Sequence, residues 1–227
     1  MGFVAENILY FKTIVPEKVT VVAVSKTKAV EHITEAYETG HRNFGENYVQ
    51  ELLQKYEQLP KDINWHFIGH LQSNKVKYIA PFIYLIHSID SYKLLKEINK
   101  QALKNNRVIN CLIQIHIAQE ETKFGIDEEE LIQMISSADF KILKNIKVLG
   151  LMGMASNTED ENIIRFEFRK LYTIYANIKN QYPSADNLDI TILCMGMSSD
   201  WKIALEEGSN MIRIGSALFG ERKHTTS

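Results

Sequence analysis

A lysine directly follows the first strongly apolar segment of the sequence. That segment, VTVVAVS (Val19–Ser25), predicts a buried strand, and Lys26 is the next residue. Burial disfavours an ammonium ion, and the neutral amine is the form that condenses with an aldehyde. At a strand end beside a ligand, Lys26 would therefore be suited to form a Schiff base. Position alone favours the alternative, a lysine that simply extends its amine into solvent, and Lys28 is expected to be the more exposed of the two.

A second set of candidate residues ends the last apolar segment, in MIRIGSALFG. The peptide N–H groups at Gly215 and Ser216, with the serine hydroxyl, are suited to bind a phosphate without a basic side chain. Arg213 lies within the predicted strand, where a guanidinium is costly to bury without a partner. It either contacts a ligand or makes a structural ion pair, and the sequence leaves both open.

Polar residues follow three further predicted strands. Ser198 and Ser199 come after ILCMGM, where their hydroxyls could face a ligand or cap a helix. Asn47 follows FGE and Asn74 follows HLQS. Both are expected at the rim of the same site, or else are ordinary turn residues.

Strands and helices that alternate along the chain would bring these residues together. Most of the apolar runs are continuous, which is typical of strands covered on both faces. The predicted strands are Val19–Ser25, Asn43–Gly45, Trp65–Gly69, Tyr84–Ser88, Asn110–Ile117, Val148–Met154, Thr191–Met195 and Met211–Ile214. This order predicts an α/β fold, a single (β/α)8 TIM barrel, with an open doubly wound sheet as the alternative. Barrel sites lie at the carboxyl ends of the strands, with phosphate commonly held after the seventh and eighth.

Composition restricts the class of protein. The chain has 227 residues, 45% of them hydrophobic, and a formal net charge of −2, which gives no general attraction to nucleic acid or to an anionic membrane. No apolar stretch approaches the roughly 18 residues of a membrane span, and the two cysteines in apolar runs fit a reducing compartment. We expect a cytoplasmic protein with one domain over residues 1–227. Residues 1–18 would form an N-terminal helical segment and residues 221–227 a polar tail.

Several functional classes lack their sequence markers. The chain contains no G-x-G-x-x-G, no G-x-x-x-x-G-K-[ST] and no G-x-S-x-G, so dinucleotide, P-loop and α/β-hydrolase functions are not indicated. His66 and His70 are four residues apart, but on a predicted strand and loop without a nearby carboxylate. No metal site is therefore expected.

Six segments, taken in order, resemble a known family. They are AVSKTK (Ala23–Lys28), NFGENYVQE (Asn43–Glu51), WHFIGHLQSNK (Trp65–Lys75), GLMGMA (Gly150–Ala155), MGMSSD (Met195–Asp200) and RIGSALFG (Arg213–Gly220). Together they resemble the pyridoxal-phosphate homeostasis proteins, the YggS/PROSC (PLPBP) family. The segments extend from about Val19 to Gly220, and the longer ones are specific.

The resemblance implies a fold-type III barrel, similar to the N-terminal domain of alanine racemase. It implies pyridoxal 5′-phosphate (PLP) as the cofactor, held as a Schiff base on Lys26. Arg213 would lie near the pyridine nitrogen and keep it unprotonated, which weakens the cofactor as an electron sink. Gly215 and Ser216 would hold the phosphate, and Asn47 would lie on the rim that faces the cofactor.

One departure from the family pattern concerns the phosphate. Cys194 stands where the family usually has serine before MGMS, so a weak thiol contact would replace a hydroxyl contact to phosphate. The hydroxyl of the neighbouring Ser198 is expected to compensate. A second departure, Asn210 in place of the family's usual threonine, keeps a polar side chain before the last strand.

The resemblance implies a carrier that holds or buffers PLP and supplies it to apo-enzymes, without robust catalytic activity. The alternative is a small racemase-like enzyme that acts on amino acids with Lys26 as a one-sided base. Racemases of this fold use a second, β-rich domain and a partner subunit. Since few residues follow the eighth predicted strand, we expect an open site and a monomer. A pure interaction scaffold would leave Lys26 and the Gly215–Ser216 turn unexplained.

Overall fold

Eight parallel strands close into a barrel, in chain order, in the computed structural model, which describes residues 2–221. Each strand pairs with its neighbour in sequence, and β8 closes the barrel against β1. The strands are β1 (Thr20–Val24), β2 (Asn43–Glu46), β3 (Asn64–Phe67), β4 (Leu85–Ile89), β5 (Ile109–Gln114), β6 (Ile146–Met152), β7 (Leu188–Cys194) and β8 (Met211–Ile214).

Helices surround this barrel. They are α1 (Phe3–Ile14), α2 (Val30–Glu38), α3 (Val49–Gln58), α4 (Val76–Ile79), α5 (Tyr92–Lys104), α6 (Glu128–Ser136), α7 (Ala138–Lys141), α8 (Glu161–Gln181), α9 (Trp201–Glu206) and α10 (Ser216–Phe219), with a 3-10 helix over Ser73–Lys75. In α5, Leu94, Leu95, Ile98 and Ala102 recur at helical spacing and are buried, so one face of the helix packs inward. The Ser91 hydroxyl accepts a hydrogen bond from the Leu94 N–H and caps the N-terminus of α5. Serine is one of the residue types that favour this capping position.

The prediction of a (β/α)8 barrel is confirmed, and the open doubly wound sheet is excluded by the pairing of β1 with β8. Each predicted strand overlaps an observed one. The largest differences are at β7, which begins three residues earlier than predicted, and β5, which ends three residues earlier. After Gln114 the chain pairs with Ile126 instead: the Ile126 N–H donates to the Gln114 carbonyl at 2.9 Å, and the His116 N–H to the Ile126 carbonyl at 2.9 Å.

Side chains from six strands meet inside the barrel. Val22, Leu85, Leu112, Met152, Cys194 and Met211 form one buried cluster. Since these residues come from strands that are not all neighbours, they can touch only through the barrel interior. A larger apolar cluster lies between the strands and the helices. Both faces of the sheet are therefore covered, which accounts for the continuous apolar runs in the sequence.

The segment before β1 contains α1, which packs beside the last helix. The Asn7 side chain donates to the Leu218 carbonyl at 3.0 Å, and the Phe11 and Trp201 ring centroids are 5.6 Å apart. This packing places α1 against α9 and α10. Residues 222–227 of the predicted polar tail lie outside the described residues.

No helix within residues 2–221 is both long and apolar enough to cross a membrane.

Candidate functional site

A cavity of about 440 Å³ opens at the carboxyl ends of β1, β2, β7 and β8. Six of the candidate residues from the sequence line it: Lys26, Asn47, Ser198, Arg213, Gly215 and Ser216. Its volume falls in the ordinary range for a small-molecule site. The sequence did not single out Val24, Ile68, Met154 or Met197, which also line the cavity with Ser199. Val24 and Ile68 could have been found from the strand period of two, since they lie two residues from Lys26 and His66 and so share a face of the strand with them.

The turn after β1 carries Lys26 into this cavity. Lys26 is half-buried, and the turn is closed by the Lys28 N–H, which donates to the Ser25 carbonyl at 3.0 Å. Lys28 is also half-buried. Its ammonium donates to the Phe219 and Gly220 carbonyls, at 3.0 and 2.9 Å, because the end of α10 offers acceptors there.

Arg213 lies on β8 with its guanidinium in the interior. The residue is 4% exposed, and one terminal N–H donates to the Gly153 carbonyl at 3.3 Å. Its Nε is buried and has no hydrogen-bond partner. Within residues 2–221 the guanidinium makes no ion pair, so the structural alternative considered from the sequence is excluded for the described chain. A buried donor without a partner is costly, and a ligand in the cavity would satisfy it.

The turn after β7 lines the cavity and is hydrogen-bonded to the residue that precedes α10. The Gly215 N–H donates to the Ser198 hydroxyl at 3.1 Å, so the peptide expected to face a ligand is tied to the serine beside it. Asp200 precedes α9, but its carboxylate does not cap that helix. It accepts the Met197 N–H at 2.6 Å instead and folds the turn back on itself. Burial raises the pKa of Asp200.

The end of β2 brings Asn47 close to the chain after β3. A Cβ atom at Gly69 would lie only 2.3 Å from the Asn47 carbonyl oxygen, so this approach requires glycine. The side-chain Oδ1 of Asn47 is buried and has no partner. Asn74, the other predicted rim residue, is exposed in the 3-10 helix and does not line the cavity.

The residues that line the cavity suit a small anionic ligand that carries a carbonyl group. Ser198, Ser199 and Ser216 supply hydroxyls, Arg213 supplies a guanidinium and Lys26 an amine. Two buried polar atoms, one on Arg213 and one on Asn47, lack partners at the same place. Within residues 2–221, no three His, Cys, Asp or Glu side chains are grouped to hold a metal ion.

A chain of polar residues inside the barrel was not predicted from the sequence. His66 Nδ1 lies 2.8 Å from His87 Nε2, and His87 Nδ1 lies 3.5 Å from Cys194 Sγ. His66 Nε2 lies 3.2 Å from Asn43 Oδ1, an acceptor, so His66 donates there and accepts from His87, which in turn accepts from the thiol. Burial lowers the pKa of His66 to about 3 and that of His87 well below its ordinary value, so both rings are neutral near pH 7.

Cys194 therefore lies in this interior chain, and the expected thiol contact to a phosphate is not supported. Burial raises the pKa of its thiol to about 11, and the side chain packs among residues of five other strands. Ser198, four residues on, lines the cavity instead. The pleat of β7 points residue 194 into the barrel, and only the turn beyond the strand reaches the mouth.

The fold and site define a class of protein. Residues 2–223 match the family model described as "Alanine racemase, N-terminal domain". An alanine racemase of Bartonella henselae has the same fold, with a TM-score of 0.73 at 17% identity over 98% of this chain and 60% of that chain. The protein is thus a barrel of the alanine racemase N-terminal class.

More similar proteins narrow the family. A protein of Aquifex aeolicus (strain VF5) named "Pyridoxal phosphate homeostasis protein" is 45% identical over 202 residues, 88% of this chain and 86% of that protein. PipY of Synechococcus elongatus PCC7942 is 34% identical and covers 96% of this chain and 100% of its own, with TM-scores of 0.89 without PLP and 0.86 with PLP bound. The chain belongs to the pyridoxal phosphate homeostasis protein family.

Proposed function

We propose that this protein binds PLP in the cavity, holds it as a Schiff base on Lys26, and buffers or supplies it within the cell. The observation that carries the proposal is the presence of the Lys26 amine and an unpartnered, buried N–H of Arg213 in one cavity. The PLP-bound structure of PipY and the name shared by the curated relatives support it.

The lining residues fit the parts of PLP by their chemistry. Arg213 is a donor only, so its buried N–H would pair with an unprotonated pyridine nitrogen. The hydroxyls of Ser198 and Ser216 and the Ser216 peptide N–H would hold the phosphate, and the Gly215 N–H, which donates to the Ser198 hydroxyl, would orient that hydroxyl. Asn47 would contact the ring from the rim. When bound, PLP supplies an aldehyde, whose carbon bonds reversibly to an amine nitrogen with loss of one water.

The lining favours a carrier over a racemase. Of the described side chains that line the cavity, only Lys26 carries a group that commonly exchanges protons in catalysis. Racemisation needs a proton removed from one face of the substrate and returned to the other, so a second acid or base is required. A reversible link to one lysine is instead suited to release, because the amine of a recipient apo-enzyme can replace Lys26. The expected monomeric state and cytoplasmic location stay predictions.

The first experiment is a visible spectrum of the purified protein with PLP, before and after borohydride, followed by peptide mapping. The expected result is a yellow protein whose reduced adduct maps to Lys26. A protein that neither carries nor binds PLP would overturn the proposal. Incubation of the loaded protein with single L- and D-amino acids then separates the two functions, since sustained racemisation would favour the enzyme over the carrier.

A further inference from the structure

The turn that carries Lys26 has a backbone conformation that its sequence does not favour. The Lys28 N–H closes the turn on the Ser25 carbonyl, and Thr27, the third residue of the turn, has a φ of +63°. Turns of this kind usually place glycine or asparagine at that position, and a β-branched residue is a genuine outlier there. Such a conformation persists only where surrounding contacts hold it.

Two side chains of α3 hold the peptide groups on either side of Lys26. Glu51 Oε1 accepts the Thr27 N–H at 2.6 Å, and Lys55 Nζ donates to the Ser25 carbonyl at 2.7 Å. The carbonyl before Lys26 and the N–H after it are therefore both fixed. Neither Glu51 nor Lys55 lines the cavity, so any effect of theirs on a ligand there passes through the turn.

Lys55 carries a buried ammonium group, and removing this charge from water is costly even though it is paired. Lys55 is 4% exposed, and it also contacts Glu46 Oε1 and Glu51 Oε1, each at 2.7 Å. An ammonium has three N–H donors. The contacts to Glu46, to Glu51 and to the Ser25 carbonyl use all three. The Ser25 hydroxyl donates to the same oxygen, Glu46 Oε1, at 2.5 Å, whereas Glu46 Oε2 is buried without a partner. An apolar side chain at position 55 would pack under α3 without the cost of removing a charge from water. Packing alone therefore does not explain the network.

We propose that Glu51 and Lys55 are positioning residues that hold the Lys26 turn and so aim the Lys26 amine into the cavity. The proposal rests on the proposed function, in which Lys26 carries PLP. It predicts that loosening the network slows bond formation at Lys26 and leaves the binding of the phosphate and ring unchanged.

The test uses two variants of one glutamate and a matched control. Glu51→Ala removes the acceptor of the Thr27 N–H, whereas Glu51→Gln retains a carbonyl oxygen there. The control is Glu97→Ala on α5, because the Glu97 side chain is 27% exposed against 22% for Glu51 and also pairs with a lysine on its own helix.

Three quantities are measured for each variant. The first is amide exchange of the peptide that contains Thr27, without PLP. The second is the rate at which PLP becomes fixable to Lys26 by borohydride. The third is the affinity for pyridoxine 5′-phosphate, which has an alcohol in place of the aldehyde and so cannot bond to the lysine.

For Glu51→Ala we expect faster exchange at Thr27 and a rate of fixation lower by roughly ten- to hundredfold, since misplacement by about 1 Å has such effects. The affinity for pyridoxine 5′-phosphate should stay within about twofold of the wild type, because its contacts do not involve Glu51. Glu51→Gln should retain most of the rate, and Glu97→Ala all of it. Thr27→Asn in the Glu51→Ala background should recover part of the rate, because asparagine tolerates the left-handed conformation.

Several outcomes would overturn the inference. A wild-type rate in Glu51→Ala would do so, and so would an equal loss of rate and of pyridoxine 5′-phosphate affinity, which would indicate general damage to the site. If Glu51→Ala does not fold, Glu51→Gln supplies the comparison, and exchange at Thr27 and the rate of fixation should change together. Clearly faster exchange at Thr27 in Glu51→Gln with an unchanged rate of fixation would count against the inference. A wild-type protein that forms no adduct on Lys26 would instead overturn the proposed function itself.

Discussion

The barrel interior contains two groups of polar residues, and they differ in whether their hydrogen bonds are complete. In the inner chain, His66 and His87 use both ring nitrogens, on each other, on Asn43 and on Cys194. At the mouth, Arg213 Nε and Asn47 Oδ1 are buried without partners. Six buried side-chain atoms of the described residues lack a partner, and only these two belong to residues that line the cavity. Because native proteins leave few buried polar atoms unpaired, we interpret the inner chain as structural and the mouth as the place of a ligand.

This comparison leads to opposite expectations for substitutions. A change in the inner chain should lower the free energy of unfolding and leave ligand binding to the folded protein unchanged. A change at the mouth should weaken ligand binding and leave stability nearly unchanged, or raise it, as is common where a site is maintained at the expense of stability.

The largest expected effect is at Lys26. In Lys26→Ala the adduct fixed by borohydride should disappear from the mapped peptides, while the free energy of unfolding changes by less than about 1 kcal/mol, because the side chain is half-buried at the rim. Lys28→Ala is the matched control. It removes the contacts to the Phe219 and Gly220 carbonyls and so should lower stability, but it should keep the adduct. An adduct on another lysine at wild-type yield would contradict the assignment of Lys26.

Acidification should destabilise the ligand-free protein through three buried histidines, which are His66 and His87 of the inner chain and His41, just before β2. Burial lowers the pKa of His41 to about 4, that of His66 to about 3 and that of His87 further, from an ordinary 6.5. The unfolded chain therefore binds more protons below pH 6.5, and each histidine removes about 1.4 kcal/mol of stability per pH unit as the pH falls toward its folded pKa. Glu46 acts in the opposite direction: burial raises its pKa to about 6, so its contribution is lost as the pH rises from about 4.5 to 6.

Urea unfolding at pH 7.5, 6.5 and 5.5 measures this dependence. Three buried histidines oppose two carboxyls whose pKa burial raises, Glu46 and Asp200, so stability should fall across the series, and His41→Gln should reduce the slope. Equal stability at pH 7.5 and 5.5 would contradict the neutral inner chain.

The inner chain itself is tested by His87→Leu. The substitution leaves His66 Nδ1 and the Cys194 thiol without their partner, and we expect a loss of about 2–3 kcal/mol in the free energy of unfolding. The yield of the Lys26 adduct, measured on the folded fraction, should match the wild type. A stable variant with a reduced yield would place His87 with the ligand site and erase the distinction between the two groups.

At the mouth, Arg213→Met should give the reverse result. Methionine has a similar length and removes a buried charge whose Nε is unpaired, so the free energy of unfolding should be unchanged or higher. The affinity for pyridoxine 5′-phosphate should fall by about tenfold, the effect of one lost hydrogen bond to a charged group. Thermal unfolding and equilibrium binding check the two parts. A large loss of stability would show that Arg213 is part of the structural interior.

Much of the barrel could be predicted from the sequence, because its information is local. Continuous apolar runs such as that ending at Ser25 predict strands covered on both faces, and eight strands that alternate with helices favour a closed barrel over an open sheet. The pairing of β8 with β1 then decides between the two. The predicted site residues line one cavity for the same reason. The carboxyl ends of parallel strands converge, so Lys26 and Arg213 line the same cavity although they are 187 positions apart in the sequence.

Contacts between distant elements could not be predicted in this way. His87 and Cys194 are 107 residues apart, and nothing in either segment indicates that their side chains meet across the barrel. Lys55 reads as a solvated lysine of an amphipathic helix, yet its ammonium is buried beneath α3. The direction of each side chain depends on the stagger between strands and on helix packing, which local patterns do not specify.

The smallest expected effect, and the closest comparison, involves two asparagines of the same strand region. Asn43, at the start of β2, accepts from Asn64 and His66 through Oδ1, at 3.2 Å each, whereas Asn47 Oδ1, just beyond the strand, is buried without a partner. Asn47→Ala removes no hydrogen bond at that oxygen, so stability should change by less than about 0.5 kcal/mol. The affinity for pyridoxine 5′-phosphate should fall by about three- to tenfold, the usual net value of one neutral hydrogen bond.

Asn43→Ala should do the opposite: it should cost about 1–3 kcal/mol of stability by leaving His66 without its acceptor, at unchanged affinity. Asn74→Ala, at the exposed 3-10 helix, is the control that should alter neither quantity. Urea unfolding and equilibrium binding are measured for all three variants. If Asn43→Ala and Asn47→Ala change stability equally, the unpaired oxygen of Asn47 does not mark a ligand. If only Asn47→Ala weakens binding, the unpaired atoms at the mouth do identify the surface that PLP occupies.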